Sequence, residues 1–152
     1  MAAAVACIDA WAARELAAAE FLVAAERQEV TDRTASHRWY LRFKGEEKDF
    51  ITVWFTLKQR TLHFEAQFMP APEANQADVY AYLLRRNAHL FGMWFALGPE
   101  DAVYLVGRVP ARQVDDDELD RIAGSSVHYT DEHFPTAMTM GHPSWYRRRP
   151  RR

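Results

Sequence analysis

The sequence predicts an α+β fold, an antiparallel five-stranded sheet with helices packed on one face. Three observations carry this: strand-type alternation comes in consecutive runs, the connections within those runs have hairpin lengths, and helix-type segments stand before, between and after them. The order reads helix, three strands, helix, two strands, helix. At 152 residues, 49% hydrophobic and 26% charged, the chain has the size and composition of one globular unit with one core.

Residues 8–28 are dense in alanine, leucine and glutamate and contain no glycine or proline, which predicts one helix. Residues 37–44 then alternate Trp39, Leu41 and Phe43 against Arg38, Tyr40, Arg42 and Lys44. Residues 50–58 alternate Ile51, Val53, Phe55 and Leu57 against Thr52, Trp54 and Thr56. Residues 61–69 alternate Leu62, Phe64, Ala66 and Phe68 against His63, Glu65 and Gln67. Period two with one apolar set marks half-buried strands, and the short connections at 45–49 and 59–60 join them as a meander.

Pro70 and Pro72 end the third run, and 75–90 predicts a helix with Tyr80, Leu83, Leu84, Asn87 and Phe91 along one side. Asn87 in an apolar stripe is read as a structural amide that satisfies backbone groups beside the sheet. A second hairpin, 92–97 and 102–109, turns through Gly98, Pro99, Glu100 and Asp101 and closes at Pro110. Three aspartates and Glu118 open a last helix near Asp115, which runs to about Tyr129, with Pro135 breaking it before a terminal turn. One domain over 1–146 is expected, followed by a basic, disordered tail at 147–152.

The composition narrows the function. A single cysteine, Cys7, points to a reducing compartment, and the cytoplasm is the expected location. Neither a signal peptide nor a membrane span is expected, because charged residues interrupt the apolar leader early. The net charge is −2, and without the five arginines of the last six residues it would be −7, so nucleic acid is not an expected partner.

No motif commits the chain to catalysis. His128 and His133 are five apart, on divergent helix faces, where a metal pair would be three or four apart. The run 115–118 lacks the glycine and distal glutamate of a calcium loop, and Ser125, Ser126, His128 and Asp131 lack a nucleophile-elbow pattern. The glycines are too scattered to cradle a phosphate. The chain is therefore expected to be no enzyme, with no cofactor, no metal and no small-molecule ligand; the alternative is a small-molecule sensor or an enzyme with a pocket between helices and sheet.

The outer set of the strands stands out instead. Tyr40, Arg42, Trp54, His63, Glu65, Trp94 and Tyr104 would project from the second face of the sheet, aromatic rings among charges, which is the composition of protein contact surfaces. Cover by other elements within one monomer is the competing explanation, and a base-stacking platform for RNA is a third.

The same arrangement carries a family resemblance. The run Leu83-Leu84-Arg85-Arg86-Asn87, the hairpin from Phe95-Ala96-Leu97 to Val103-Tyr104-Leu105, Val109-Pro110, and the acidic-start helix leading to Phe134-Pro135 resemble the YbjN family of bacterial sensory transduction regulators over about 26–138. That resemblance implies a fold like the type III secretion chaperones, a curved antiparallel sheet with helices, often dimeric, that holds client segments. It also implies a non-enzymatic, chaperone-like or regulatory role, with a protein partner or a homodimer. Asn87 and Pro110 match positions where the family places an asparagine and a strand-closing proline. The alanine-rich leader and the arginine tail depart from the family pattern, so the resemblance says nothing of either end.

Overall fold

A computed structural model describes residues 1–30 and 37–148. The α+β class and the antiparallel sheet are as the alternation predicts, but the sheet has six strands, not five, in the order β1-β2-β3-β4-β6-β5. The extra strand lies inside the segment read as one helix. Helix α1 (Ala2–Ala18) stops where Ala19 turns left-handed at φ 53°, its N–H still bonded to Glu15 O at 3.1 Å. Strand β1 (Leu22–Gln28) then pairs antiparallel with β2 (His37–Lys44).

The correction has a physical reason. Helix propensity differs by only tenths of a kcal/mol per residue among these residue types. Pairing with β2 satisfies a row of backbone groups, each bond contributing about 1 kcal/mol, and fully buries Leu22. Tertiary pairing therefore outweighs local composition.

Strands β2, β3 (Phe50–Leu57) and β4 (Thr61–Met69) form the expected meander. Helix α2 (Gln76–Asn87) leads to the second hairpin, β5 (Trp94–Leu97) and β6 (Val103–Pro110), joined by a short 3-10 turn. Strand β6 inserts beside β4 and leaves β5 at the edge.

Helix α3 (Asp116–Gly141) begins where expected, with the Asp115 side chain accepting the Glu118 N–H at 2.8 Å. It does not break at Pro135. Its buried stripe, from Leu119 and Ile122 through Thr130 and Phe134 to Ala137 and Met138, continues on both sides of the proline. Packing against the sheet along that length offsets the roughly 3 kcal/mol that an interior proline costs. The chain then enters α4 (Pro143–Arg148), and residues 149–152 of the arginine tail lie outside the described residues.

The core occupies one face of the sheet. Trp39, Leu41 and Phe43, then Ile51, Val53 and Phe55, then Leu62, Phe64 and Phe68 are buried there, together with Leu105 and Val109. α1 contributes Ile8 and Trp11, whose ring stacks on Phe55 at 6.2 Å, and α3 contributes Phe134, edge-on to Phe68 at 6.0 Å. Gly107 is required opposite Phe64, because a Cβ there would come within 2.3 Å of the phenyl ring. Both core tryptophans satisfy their indole N–H: Trp39 donates to Asp9 at 2.8 Å and Trp11 to Asp120 at 2.9 Å.

Candidate docking face

The strand alternation that buries Trp39 and Phe55 turns Tyr40 and Trp54 the other way. Helices α1 and α3 pack on the core face, as the Trp11 and Phe134 contacts show, and among the described residues the opposite face keeps Tyr40, Arg42, Trp54 and Glu65 only partly buried. Register places Glu26, Tyr40, Trp54, Glu65, Val106 and Trp94 in one row across all six strands. A second row runs Ala24, Arg42 and Thr52 on β1 to β3, with Gln67, Tyr104 and Ala96 on the last three strands. A third contains Gln28, Arg38, Thr56, His63 and Arg108.

Three of the aromatics expected on this face meet. Trp54 sits between Tyr40, edge-on at 6.3 Å, and Tyr104, tilted at 6.4 Å. The Tyr104 ring lies on the turn glycine Gly98, where a Cβ would come within 2.4 Å of it, so the absent side chain sets the ring's position. Trp94 is 41% exposed at the end of the first row, with Glu65 and Val106 between it and Trp54. His63 is half-buried one row away, beside Arg108. Burial holds its imidazole below its usual value, Lys58 and Arg108 push it further down, and Glu65 opposes them.

Sequence reading left out three members of this face. Arg38 lies over the Trp54 ring at 5.9 Å, Phe50 is 44% exposed with the Arg42 guanidinium 4.0 Å from its centroid, and Arg108 closes the third row. The period-two rule that selected Tyr40 and Trp54 selects these residues as well. Among the described residues, no carboxylate lies within ion-pair distance of Arg38, Arg42 or Arg108.

The other polar residues singled out in the sequence have structural tasks. Asn87 Oδ1 accepts the Phe95 N–H at 2.7 Å and its Nδ2 donates to Phe95 O at 3.3 Å, which caps the outer edge of β5 as a neighbouring strand would. Asp131 accepts the N–H groups of Glu46 and Glu47 at 3.0 Å and of Lys48 at 3.3 Å, pinning the β2–β3 loop to α3. His133, buried, shares a 3.0 Å hydrogen bond with Tyr82 Oη, while His128 is exposed beside Glu132.

Lys48 carried no sequence signal. Its ammonium donates to Gln67 O at 2.8 Å and Phe68 O at 3.1 Å, at the irregularity between Gln67 and Met69 where β4 slips register against β6. Burial lowers its pKa to about 8.

An apolar groove of about 310 Å³ lies between α2 and the β5–β6 hairpin, lined by Tyr80, Leu83, Leu84, Phe95, Leu97 and Val103 together with Asn87 and Ala96. Leu84 is 68% and Leu97 52% exposed at its rim.

These features define a small antiparallel α+β domain with one roofed and one open sheet face. Within that class the chain belongs to the YbjN family, whose model, described as "Putative bacterial sensory transduction regulator", matches residues 16–137. The match starts ten residues before the resemblance legible in the sequence, whose expected start was 26, and takes in the end of α1 and all of β1. An uncharacterized protein of Mycobacterium tuberculosis is 34% identical over 97 residues, covering 64% of this chain and 53% of that protein. One of Mycobacterium leprae is 31% identical over 104 residues, covering 68% and 56%. The chain spans about half the length of the curated relatives it matches. Among solved structures it is similar to a chain in the crystal structure of the ExsC-ExsE complex, with a TM-score of 0.48, 16% identity, and coverage of 73% of this chain and 76% of that one. No helix among the described residues is long and apolar enough to cross a membrane.

Proposed function

We propose that this chain is a non-enzymatic, cytoplasmic protein-binding module, chaperone-like or regulatory, that docks its partner on the open face of the sheet. The observation that carries this reading is the contrast across the sheet: one face is roofed by helices, and the other presents Tyr40, Trp54, Tyr104 and Trp94 among arginines. Exposed aromatics and arginines are the residues that contribute most at protein interfaces. Solvent alone would be met with threonine, lysine and glutamate. The family's description as a sensory transduction regulator fits a role exercised through another protein.

The test is partner capture by chemical crosslinking in the native cell, with wild type compared with Trp54→Ala and Trp94→Ala. Loss of the same crosslinked species from both variants, with unchanged thermal melting, supports the reading. Unchanged capture by both removes it.

A second reading, self-association into a homodimer, is favoured by the groove between α2 and β5, where Leu84 and Leu97 leave apolar surface in water. That lining suits another apolar surface better than a polar ligand, since the Asn87 amide is already spent on Phe95. Light scattering on wild type and Leu84→Asp decides it, with a dimer lost in the variant as the supporting result.

A further inference from the structure

We propose that the partner segment received by the open face is acidic and extended, its carboxylates pairing with Arg38, Arg42 and Arg108 while its apolar side chains rest on Trp54, Tyr104 and Trp94. This rests on the docking-face reading and adds the chemistry of the occupant. The charge of the face favours an acidic occupant. The whole chain is acidic, at −2, yet its open face inverts that balance: Arg38, Arg42, Lys44, Lys58 and Arg108 outnumber Glu26 and Glu65. The field is felt locally, where Lys58 and Arg108 both push the His63 imidazole down against Glu65.

Bonding capacity on the face points the same way. Among the described residues outside this face three guanidinium groups hold carboxylates: Arg14 pairs with Asp116 at 2.7 Å, Arg27 with Asp9 at 3.1 Å, and Arg121 with Glu118. Arg38, Arg42 and Arg108 have no such partner among the described residues. Arg38 and Arg42 instead lie over rings, Trp54 at 5.9 Å and Phe50 at 4.0 Å, contacts made through the guanidinium face, which leave the in-plane N–H donors able to meet a carboxylate. A preordered guanidinium with free donors is suited to bidentate carboxylate recognition.

The same geometry decides between occupants. A single-stranded nucleic acid also offers negative charge, but it binds a sheet by stacking bases on ring faces. Here the Phe50 and Trp54 faces carry arginine, and Trp54 is flanked by Tyr40 and Tyr104. A second copy apposed on this face would set like charges against each other. Six strands at a spacing of about 4.8 Å give a face about 25 Å wide, room for about eight extended residues.

The experiment uses the full chain and three labelled peptides of about ten residues, identical in their leucine and phenylalanine positions and carrying glutamate, glutamine or lysine elsewhere, with oligo-dT and oligo-rU as further probes. Fluorescence anisotropy is read at about 50 and about 300 mM salt. The glutamate peptide is expected to bind at least tenfold more tightly than the glutamine peptide and to weaken with salt. Arg38→Glu combined with Arg42→Glu should reverse the preference so that the lysine peptide binds best, and the milder Arg38→Gln with Arg42→Gln should abolish it, both with unchanged melting.

Equal binding of the glutamate and glutamine peptides overturns the inference, as does tighter binding of either oligonucleotide. A homodimer that Trp54→Ala dissociates also overturns it, since a second copy then occupies the face. If no peptide binds while Trp54→Ala still loses the native crosslinked partner, the acidic occupant is wrong and the docking face stands. If Trp54→Ala retains that partner, both fall.

Discussion

Trp39 and Trp54 stand on neighbouring strands and face opposite sides of one sheet. Trp39 is 2% exposed, donates its indole N–H to Asp9, and has Arg27 over its ring at 4.6 Å, with that arginine itself paired to Asp9. Trp54 is half-buried, has Arg38 over its ring, and that arginine is paired with no carboxylate among the described residues. The same residue types therefore build two different surfaces. On the roofed face the indole N–H and the arginine over the ring both meet Asp9, and on the open face the ring and cation meet no carboxylate among the described residues.

Substitution at the two tryptophans separates the faces most sharply. Trp39→Ala leaves a cavity and removes one of the hydrogen bonds to Asp9, so it should destabilise the fold by about 3–5 kcal/mol in urea denaturation. A Trp39→Ala loss no larger than that of Trp54→Ala would show that the roofed face is not the core it is taken to be.

Charge behaves differently on the two sides as well. Lys48 is held under the roof, over Phe134 at 5.6 Å, and burial lowers its pKa to about 8 against a model-compound 10.5. The folded chain therefore releases this proton near pH 8 while the unfolded chain keeps it to about 10.5. Between those values the unfolded state binds more protons, so this group's contribution raises stability with pH, on the order of 2–3 kcal/mol across the window. The difference between wild type and Lys48→Met, followed by denaturation from pH 7.5 upward, isolates it from Cys7, whose raised thiol pKa acts in the opposite direction.

Smaller effects test the edges of the comparison. Asn87→Ala should cost about 1–2 kcal/mol, because the Phe95 N–H and carbonyl lose the amide that caps them at the β5 edge, and hydrogen exchange at Phe95 should accelerate. Trp54→Ala should cost about 1 kcal/mol or less, since its ring is only half-buried. Its main effect is expected in partner capture, and a melting point as low as that of Trp39→Ala would contradict this.

Much of this contrast was legible in the residues. Strict alternation across Arg38 to Lys44 and Ile51 to Leu57 assigned each side chain to a face before any pairing was known, and the short linkers fixed antiparallel neighbours. The sixth strand was not legible, because 22–28 is made of residues that favour a helix and becomes a strand only through the free edge of β2. Pro135 misled for a related reason: a local breaker was overridden by a buried stripe extending past it on both sides. Lys48 gave no signal, since its partners are backbone carbonyls of a strand about twenty residues away.

The sequence by itself determined the class of fold, the alternation within the strands it recognised and the family, because period-two patterning and turn chemistry act over a few residues and need no partner. Only the tertiary structure decided how the helices pack over the sheet, that β1 joins the edge, and that Arg38 and Arg42 of the open face lie over rings. Those facts depend on which distant surfaces bury each other, and burial is a property of the assembled chain.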